Sequence, residues 1–420
     1  MKIRLSFALL ALSASAFPAD SFYLKNRDRV VFYGDSITDQ PLYTVITEAY
    51  VATRYPELDV KFVHSGWGGD KVSGGGGGPV DVRLSRDVIA YKPTVMTIML
   101  GMNDGLYRPE TEATDRVFFD GYRHIVDTMK SAAPGIRITA IQPSPYDDVT
   151  RTPLFPGGYN EVLISFSKWI ANYAGQAGLN VADLNTAVVA MLRRAEELDP
   201  VEAPKIIQDR VHPGFAGHLI MAEQLLKSWN ARPIVSAISI NATGRPKLEA
   251  AEHASVTDLA QASGLSWNET EDALPLPFAQ WIGAWSAGPV ALVLRSSDVA
   301  QAIDDEELKV SGLKNGVYTL KIDGAIVATL NNGELAHGVN LALLETPMAK
   351  QAKEVYDLTV SHCQVHNDRW RNVQVPLAEY NLAAAQPAMQ AADALEEAIV
   401  AKRRDVAKPR AHKYELTPVI

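Results

Sequence analysis

A serine hydroxyl is a poor nucleophile at neutral pH and becomes an effective one when a base lies within hydrogen-bond reach. Ser36 follows a glycine turn in residues 30–39 (VVFYGDSITD), and His212 is the candidate base, with His64, His124 and His218 as alternatives. Asp209 lies three residues before His212. In a turn, that spacing lets a carboxylate meet one ring nitrogen while the other faces the serine. Such a set performs acyl transfer through an acyl-enzyme that water then cleaves. Gly34-Asp35-Ser36 taken alone fits a serine-capped helix start equally well, so the surrounding elements have to carry the argument.

Val30, Val31, Phe32 and Tyr33 run without polar interruption, as a parallel strand covered on both faces would. Gly34 permits a tight turn, and the amphipathic run 42–55 is the expected helix leaving it. That arrangement lifts Ser36 to the carboxyl edge of a sheet, where open α/β proteins keep their sites. Residues 59–64 form a second expected strand and open into Ser65-Gly66-Trp67-Gly68-Gly69-Asp70, where a backbone amide can approach a ligand closely. Five glycines at 74–78 end at Pro79 without the Gly-Lys-Ser/Thr of a phosphate-binding loop. A mobile loop beside a cleft is expected there, with a plain surface linker as the other reading. Residues 94–100 suit a central strand and end in Gly101-Met102-Asn103-Asp104-Gly105. Helix 114–133, strand 136–141, helix 159–177, strand 179–182, a helix to 198 and a closing helix 214–229 continue the alternation. The expected result is a parallel sheet with helices on both faces. The Pro/Gly-rich residues 143–158 are expected to wall a cleft.

Gly34-Asp35-Ser36, Gly69, Gly101-x-Asn103-Asp104 and Asp209-x-x-His212 occur in that order, each at a strand end or in a loop on the same edge. Together they resemble the SGNH (GDSL-type) hydrolase family over roughly residues 28–230, about half of the chain. The resemblance implies a flavodoxin-like α/β/α sandwich and a triad of Ser36, His212 and Asp209. It also implies an oxyanion hole built from the backbone amides of Ser36 and Gly69 and the side-chain amide of Asn103. His64 stands where the family often has asparagine. Gly66 competes with Gly69 for the oxyanion position, and Gly69 is preferred because Gly-Asp closes the block. Asp35 and Asp104 are expected to hold their turns by hydrogen bonds. Trp67 is expected either to shape an acyl pocket or to pack in the core. No cofactor and no metal is expected.

Beyond Ala231-Arg232-Pro233 the pattern changes. Residues 234–241 alternate, 265–277 suit an irregular strand, and hairpins are expected around Lys314-Asn315-Gly316 and Asp323-Gly324. Helices are expected from Pro347 to Trp370, a segment bearing His362, His366 and Arg369, and over residues 387–407. The expected organisation is a signal peptide at 1–19, a hydrolase domain at 20–231, and a β-rich region followed by helices at 232–420. The last region carries no such chemical constellation, and a carbohydrate-binding or docking module is one reading of it.

Lys2 and Arg4 precede the apolar run 5–12, with Ala14 and Ala16 beyond it. This pattern reads as a secretory signal and is far shorter than the ~20 residues a membrane helix needs. A secreted or periplasmic location follows as an expectation. Cys363 is the single cysteine, so neither an intramolecular disulfide nor a Cys/His zinc cluster is available. The net charge of −9 gives no global footprint for nucleic acid. The leading expectation is a secreted serine esterase that cleaves short acyl esters of small molecules or polysaccharides, acetylated polysaccharide being preferred. A lipid esterase or lysophospholipase, an O-acyltransferase, and a non-catalytic binding protein on the same fold are the alternatives. No stable membrane insertion is expected, and the oligomeric state is left open.

Overall fold

Five short strands, β1 Arg29–Gly34, β2 Lys61–Gly66, β3 Val95–Met99, β4 Arg137–Ile141 and β5 Asn180–Ala182, pair in the order β2-β1-β3-β4-β5, all parallel. The computed structural model describes residues 21–284, 288–378, 380 and 382–419, so the expected signal segment lies outside the described residues. The strand order is the flavodoxin-like one, and the connection reverses direction between β1 and β3, which leaves a crevice at the carboxyl edge. Successive residues Val30 to Tyr33 are all fully buried, so helices cover both faces and the unbroken apolar run is explained. Those helices are α1 Ser36–Asp39, α2 Leu42–Arg54, α3 Val80–Asp87, α4 Glu112–Ala132, α5 Tyr159–Ala177, α6 Thr186–Leu198 and α7 Phe215–Ser228.

Register decides which residues meet at the edge. Gly34 is level with Gly66 on one side and with Met99 on the other. The segments that begin at Asp35, Trp67 and Leu100 therefore leave the sheet side by side. The glycine run differs from expectation. Gly74–Gly75 and Gly78–Pro79 pair as a short antiparallel ladder. A Cβ on Gly77 would stand 2.4 Å from Arg83 Cδ and 2.7 Å from the Trp67 ring, so close packing over these two side chains requires the glycine there.

The second region contains β6 Ile234–Asn241, β7 Lys247–Glu252, β8 Ala254–Gln261, β9 Leu265–Glu271, β10 Asp305–Ser311, β11 Val317–Ile322, β12 Ala325–Asn331, β13 Val339–Asn340 and β14 Ala411–Pro418. They form two sheets, β8-β9-β14-β11-β12 and β13-β10-β6-β7, which share a core of Trp267, Tyr414, Leu416, Leu320, Ile240 and Val310. The hairpin at Asp323-Gly324 is present. Lys314-Asn315-Gly316 is not a hairpin turn, because β10 and β11 on either side of it pair into different sheets. Neither β14, inserted between β9 and β11, nor the helices α8 Phe278–Gly283, α9 Val290–Ser296 and α10 Val299–Ile303 was anticipated. Phe278, Trp281, Val290, Val293 and Ile303 join the core of the parallel-sheet part.

The chain then returns. After α11 Asn332–His337, helix α12 Pro347–Asn367 lies against α2 and β2 and continues into a π-helical segment, Asp368–Gln374, followed by α13 Ala385–Val406. Fully buried Arg54 of α2 meets fully buried Asp304 at 2.8 Å, and Trp370 Nε1 donates to Asp87 Oδ1 at 2.6 Å. The C-terminal region is thus tied to the helices around the sheet by buried polar contacts, whose desolvated partners make separation costly.

Candidate active site

Asp35 starts the site. It caps α1, its Oδ1 accepting the Ile37 N–H at 3.0 Å, and so places Ser36 at the first helical position. There the helix ladder offers no acceptor for the Ser36 N–H. Both competing readings of Gly34-Asp35-Ser36 meet here: a helix does start at this point, but the cap is Asp35. Ser36 is left half-buried, with its hydroxyl facing His212.

The His212 side is built locally. Asp209 Oδ1 accepts the Val211 and His212 N–H groups at 3.0 and 2.8 Å, and its Oδ2 meets His212 Nδ1 at 2.6 Å. His212 Nε2 lies 2.8 Å from Ser36 Oγ. Burial alone would raise the Asp209 carboxyl, but the hydrogen bonds from His212 and Val211 outweigh it and hold the group below its ordinary value. Arg210 between them is left-handed at φ 73°, a conformation that needs outside support. The loop 143–158 supplies it. Asp147 N–H donates to the Arg210 carbonyl at 2.9 Å, and Arg151 donates to the carbonyls of Ile207 and Gln208 at 2.7 Å each.

Gly66 and Gly69 take different places. A Cβ on Gly66 would fall 2.1 Å from the Asp39 nitrogen, so Gly66 lets the end of β2 touch α1. Gly69 is exposed, with φ +78°, and no hydrogen bond among the described residues takes up its N–H. The loop passes Ser36 closely: a Cβ on Gly68 would lie 4.0 Å from Ser36 Cβ. Asn103 Nδ2 donates to the Asp70 carbonyl at 3.0 Å, which leaves its second N–H, while its Oδ1 accepts from Tyr107 at 3.0 Å. Asp104 Oδ1 accepts the Val72 N–H at 2.9 Å. Burial pushes Asp35 and Asp104 each up to about 7.

The other histidines are engaged elsewhere. His218 Nδ1 accepts the Tyr43 N–H at 3.0 Å, and burial pushes the ring down to about 3. His124 meets Asp81 at 2.6 Å. His64 lies between Thr44 and Glu48 at 2.8 and 2.9 Å. Glu48, His64 and His362 form the one group among the described residues whose ligand atoms, all within 4.8 Å of one another, suit a metal ion. Arg403 already donates to the Glu48 carboxylate. Burial opposes ionisation of Glu48, but the charges of His362 and Arg403 overcome it and hold the carboxyl well below its ordinary value. The cluster is therefore neutralised from within, and its chemistry is that of a buried ion pair.

The arrangement brings serine, imidazole and carboxylate into one hydrogen-bonded line at the crevice, and residues 32–220 match the GDSL-like Lipase/Acylhydrolase family. That stretch carries the pattern of the SGNH (GDSL-type) hydrolases. An acetylxylan esterase of Geobacillus stearothermophilus is 26% identical over 224 residues, which covers 48% of this chain and 93% of that protein. A gut microbial diltiazem-metabolizing enzyme has a similar structure, with a TM-score of 0.82 at 24% identity, covering 95% of this chain and 99% of that one. The second likeness shows that the whole fold recurs, C-terminal region included. The family match and the acetylxylan esterase likeness together indicate an ester-hydrolysing enzyme. Among the described residues, no helix is long and apolar enough to cross a membrane.

Several residues at the hydrolase site carry little or no signal in the sequence. Tyr107 lies four residues after Asn103, within reach of a local reading. Asp39 lies three residues after Ser36 in the same helical turn, while Arg151 and Arg371 are joined to the site only by folding.

Proposed function

We propose that this SGNH hydrolase is an exported serine esterase that removes short acyl groups, with acetyl groups on carbohydrate as its preferred class. Ser36 Oγ attacks the ester carbonyl carbon while its proton passes to His212 Nε2. Asp209 remains ionised and holds the imidazolium through Nδ1. The negative charge on the carbonyl oxygen is met by the N–H groups of Ser36 and Gly69 and by the second N–H of Asn103 Nδ2. Collapse breaks the bond to the alcohol, which takes the proton from His212. Water then repeats the sequence, releasing the acid and restoring Ser36.

The observation that carries this reading is the continuous hydrogen-bonded line from Asp209 Oδ2 through His212 to Ser36 Oγ, at 2.6 and 2.8 Å. A binding protein needs no such line. The acyl class is supported by the acetylxylan esterase likeness. An open triad supports a bulky alcohol, since the side chains of His212 and Asp209 are 31% and 57% exposed. Export is supported by Lys2, Arg4 and the apolar run 5–12.

The test is turnover of p-nitrophenyl esters from acetate to palmitate, beside acetylated xylan and pectin. Acetate is expected to be the best of the simple esters. Ser36→Ala should lower kcat by roughly 10⁴- to 10⁶-fold at an unchanged melting temperature. Wild-type turnover in a folded Ser36→Ala variant would sink the mechanism, and a preference for palmitate would sink the substrate class.

A further inference from the structure

Three of the four residues from Gly66 to Gly69 are glycines, and backbone of that composition does not hold its own shape. The Trp67 N–H donates to the Gly34 carbonyl at 3.0 Å and Arg83 lies over the Trp67 ring, and further support comes from the far end of the chain. The segment Asp368–Gln374 is π-helical, a rare wide turn found frequently at functional sites, and two of its consecutive residues bear on Trp67. The Trp370 ring meets Trp67 edge-on with centroids 5.5 Å apart, while its Nε1 is anchored on Asp87. The Arg371 guanidinium carbon lies 3.6 Å from the Trp67 ring centroid on the stacking side.

Arg371 does more than stack. It donates to the Gly66 carbonyl at 3.4 Å and to Asp39 Oδ2 at 3.2 Å. The same Asp39 oxygen accepts the Gly68 N–H at 3.0 Å, and Asp39 closes the one-turn helix that Ser36 opens. One guanidinium thus bears on the carbonyl, the ring and, through Asp39, the N–H of the loop that presents Gly69, and it ties that loop to the helix of the nucleophile.

We propose that Arg371 is a positioning residue for acyl transfer, fixing the 66–69 loop against the Ser36 helix and so setting where the Gly69 N–H stands relative to Ser36 Oγ. The inference rests on the reading of Ser36 as nucleophile and Gly69 as oxyanion donor. It makes the C-terminal region part of how the active site is constructed. The Arg371–Asp39 pair is partly exposed, and such pairs contribute little to stability. Displacing a transition-state donor by about 1 Å, by contrast, costs up to about 100-fold in rate. Folding and catalysis should therefore respond very differently to its loss. Lysine keeps the charge but neither the planar stack nor the forked donation.

The experiment compares full-length Arg371→Ala, Arg371→Lys and Ser36→Ala on p-nitrophenyl acetate, reading kcat, KM and melting temperature. Arg371→Ala should lower kcat about 10- to 100-fold with KM within roughly twofold and little change in melting temperature. Arg371→Lys should fall between it and the wild type, and free guanidinium ion should restore part of the Arg371→Ala loss. Wild-type kcat in folded Arg371→Ala, or a rise in KM alone, overturns the proposal. Should Arg371→Ala fail to fold, Arg371→Lys decides: an intermediate kcat supports the proposal and a wild-type kcat overturns it. Loss of turnover in Ser36→Ala beside an unaffected Arg371→Ala removes only this inference, whereas full turnover in Ser36→Ala removes the reading beneath it.

Discussion

Replacing Tyr107 with phenylalanine removes one oxygen and tests how Asn103, the proposed oxyanion amide, is aimed. The Tyr107 hydroxyl donates to Asn103 Oδ1 at 3.0 Å and the Asn103 Nδ2 donates to the Asp70 carbonyl at 3.0 Å, so the side-chain amide is pinned at both ends. Burial raises the Tyr107 phenol to about 12, so it stays a donor across any ordinary assay pH. A partly buried hydrogen bond of this kind contributes about 1 kcal/mol. If that energy orients the donor, its loss should lower kcat about fivefold. Asn103→Ala removes the donor itself and should cost about 10²- to 10³-fold. Both effects should fall on kcat, with KM moving much less, because the charge being stabilised exists only in the transition state. Steady-state hydrolysis of p-nitrophenyl acetate by both variants is the assay. Wild-type kcat in Tyr107→Phe would show that the Asp70 carbonyl alone aims the amide. A loss larger than that of Asn103→Ala would make the phenol the donor and refute the assignment of Asn103.

His212→Ala should abolish turnover, whereas His218→Ala should leave kcat within a few-fold of wild type while costing about 1–3 kcal/mol of stability, because the buried Tyr43 N–H loses its acceptor; denaturant midpoints beside kinetics separate the two, and the opposite pattern would move the base. Glu269, Glu271 and Glu306 are buried, and burial, joined by neighbouring carboxyls for Glu269 and Glu306, raises all three above the ordinary 4.5. The folded state then holds protons that the unfolded state releases, so their contribution is complete below pH 4.5 and is lost as pH rises through the raised folded values. Melting temperature should fall between about pH 5 and pH 8.5 with a slope that Glu306→Gln flattens; an equal slope in that variant would remove the cluster as the cause.

What the sequence could disclose depended on how far the cause lay from the effect along the chain. The line from Asp209 to Ser36 was legible because Asp209 and His212 sit in one turn and Ser36 ends an unbroken apolar strand. The parallel sheet was legible because its central runs are apolar on both faces, whereas the flavodoxin-like arrangement came only from the family resemblance. Asn-Gly at 315–316 announced a turn but could not say that β10 and β11 belong to different sheets, since pairing is decided by partners elsewhere. β14 was hidden for a related reason: Ala411–Pro418 alternates with charged residues on its open face, and only its neighbours β9 and β11 make it central. The five glycines looked like slack because glycine carries no record of what packs against it. Here that is Trp67 and Arg83.

The proposed oxyanion side of the site poses an electrostatic problem that the proposed base side does not. Four aspartates, Asp35, Asp39, Asp70 and Asp104, lie in or beside the loops that converge on Ser36, in a place where catalysis must accumulate negative charge. Each is dealt with in one of two ways. Asp70 accepts from Arg83 Nε at 2.7 Å and Asp39 from Arg371 at 3.2 Å, so a cation answers each of these. Asp35 and Asp104 form no ion pair among the described residues; the Lys71 charge pulls Asp104 down, but burial outweighs it and raises both to about 7, which leaves each partly protonated near neutral pH. Arg83 comes from α3 and Arg371 from the C-terminal region, so the corner proposed to receive the oxyanion is made tolerable by residues that local sequence does not connect to it. The base side needs no such help, because Asp209 is the charge that the imidazolium requires. The proposed nucleophile and base therefore announce themselves in short motifs, while the residues that make room for negative charge come together only in the folded chain.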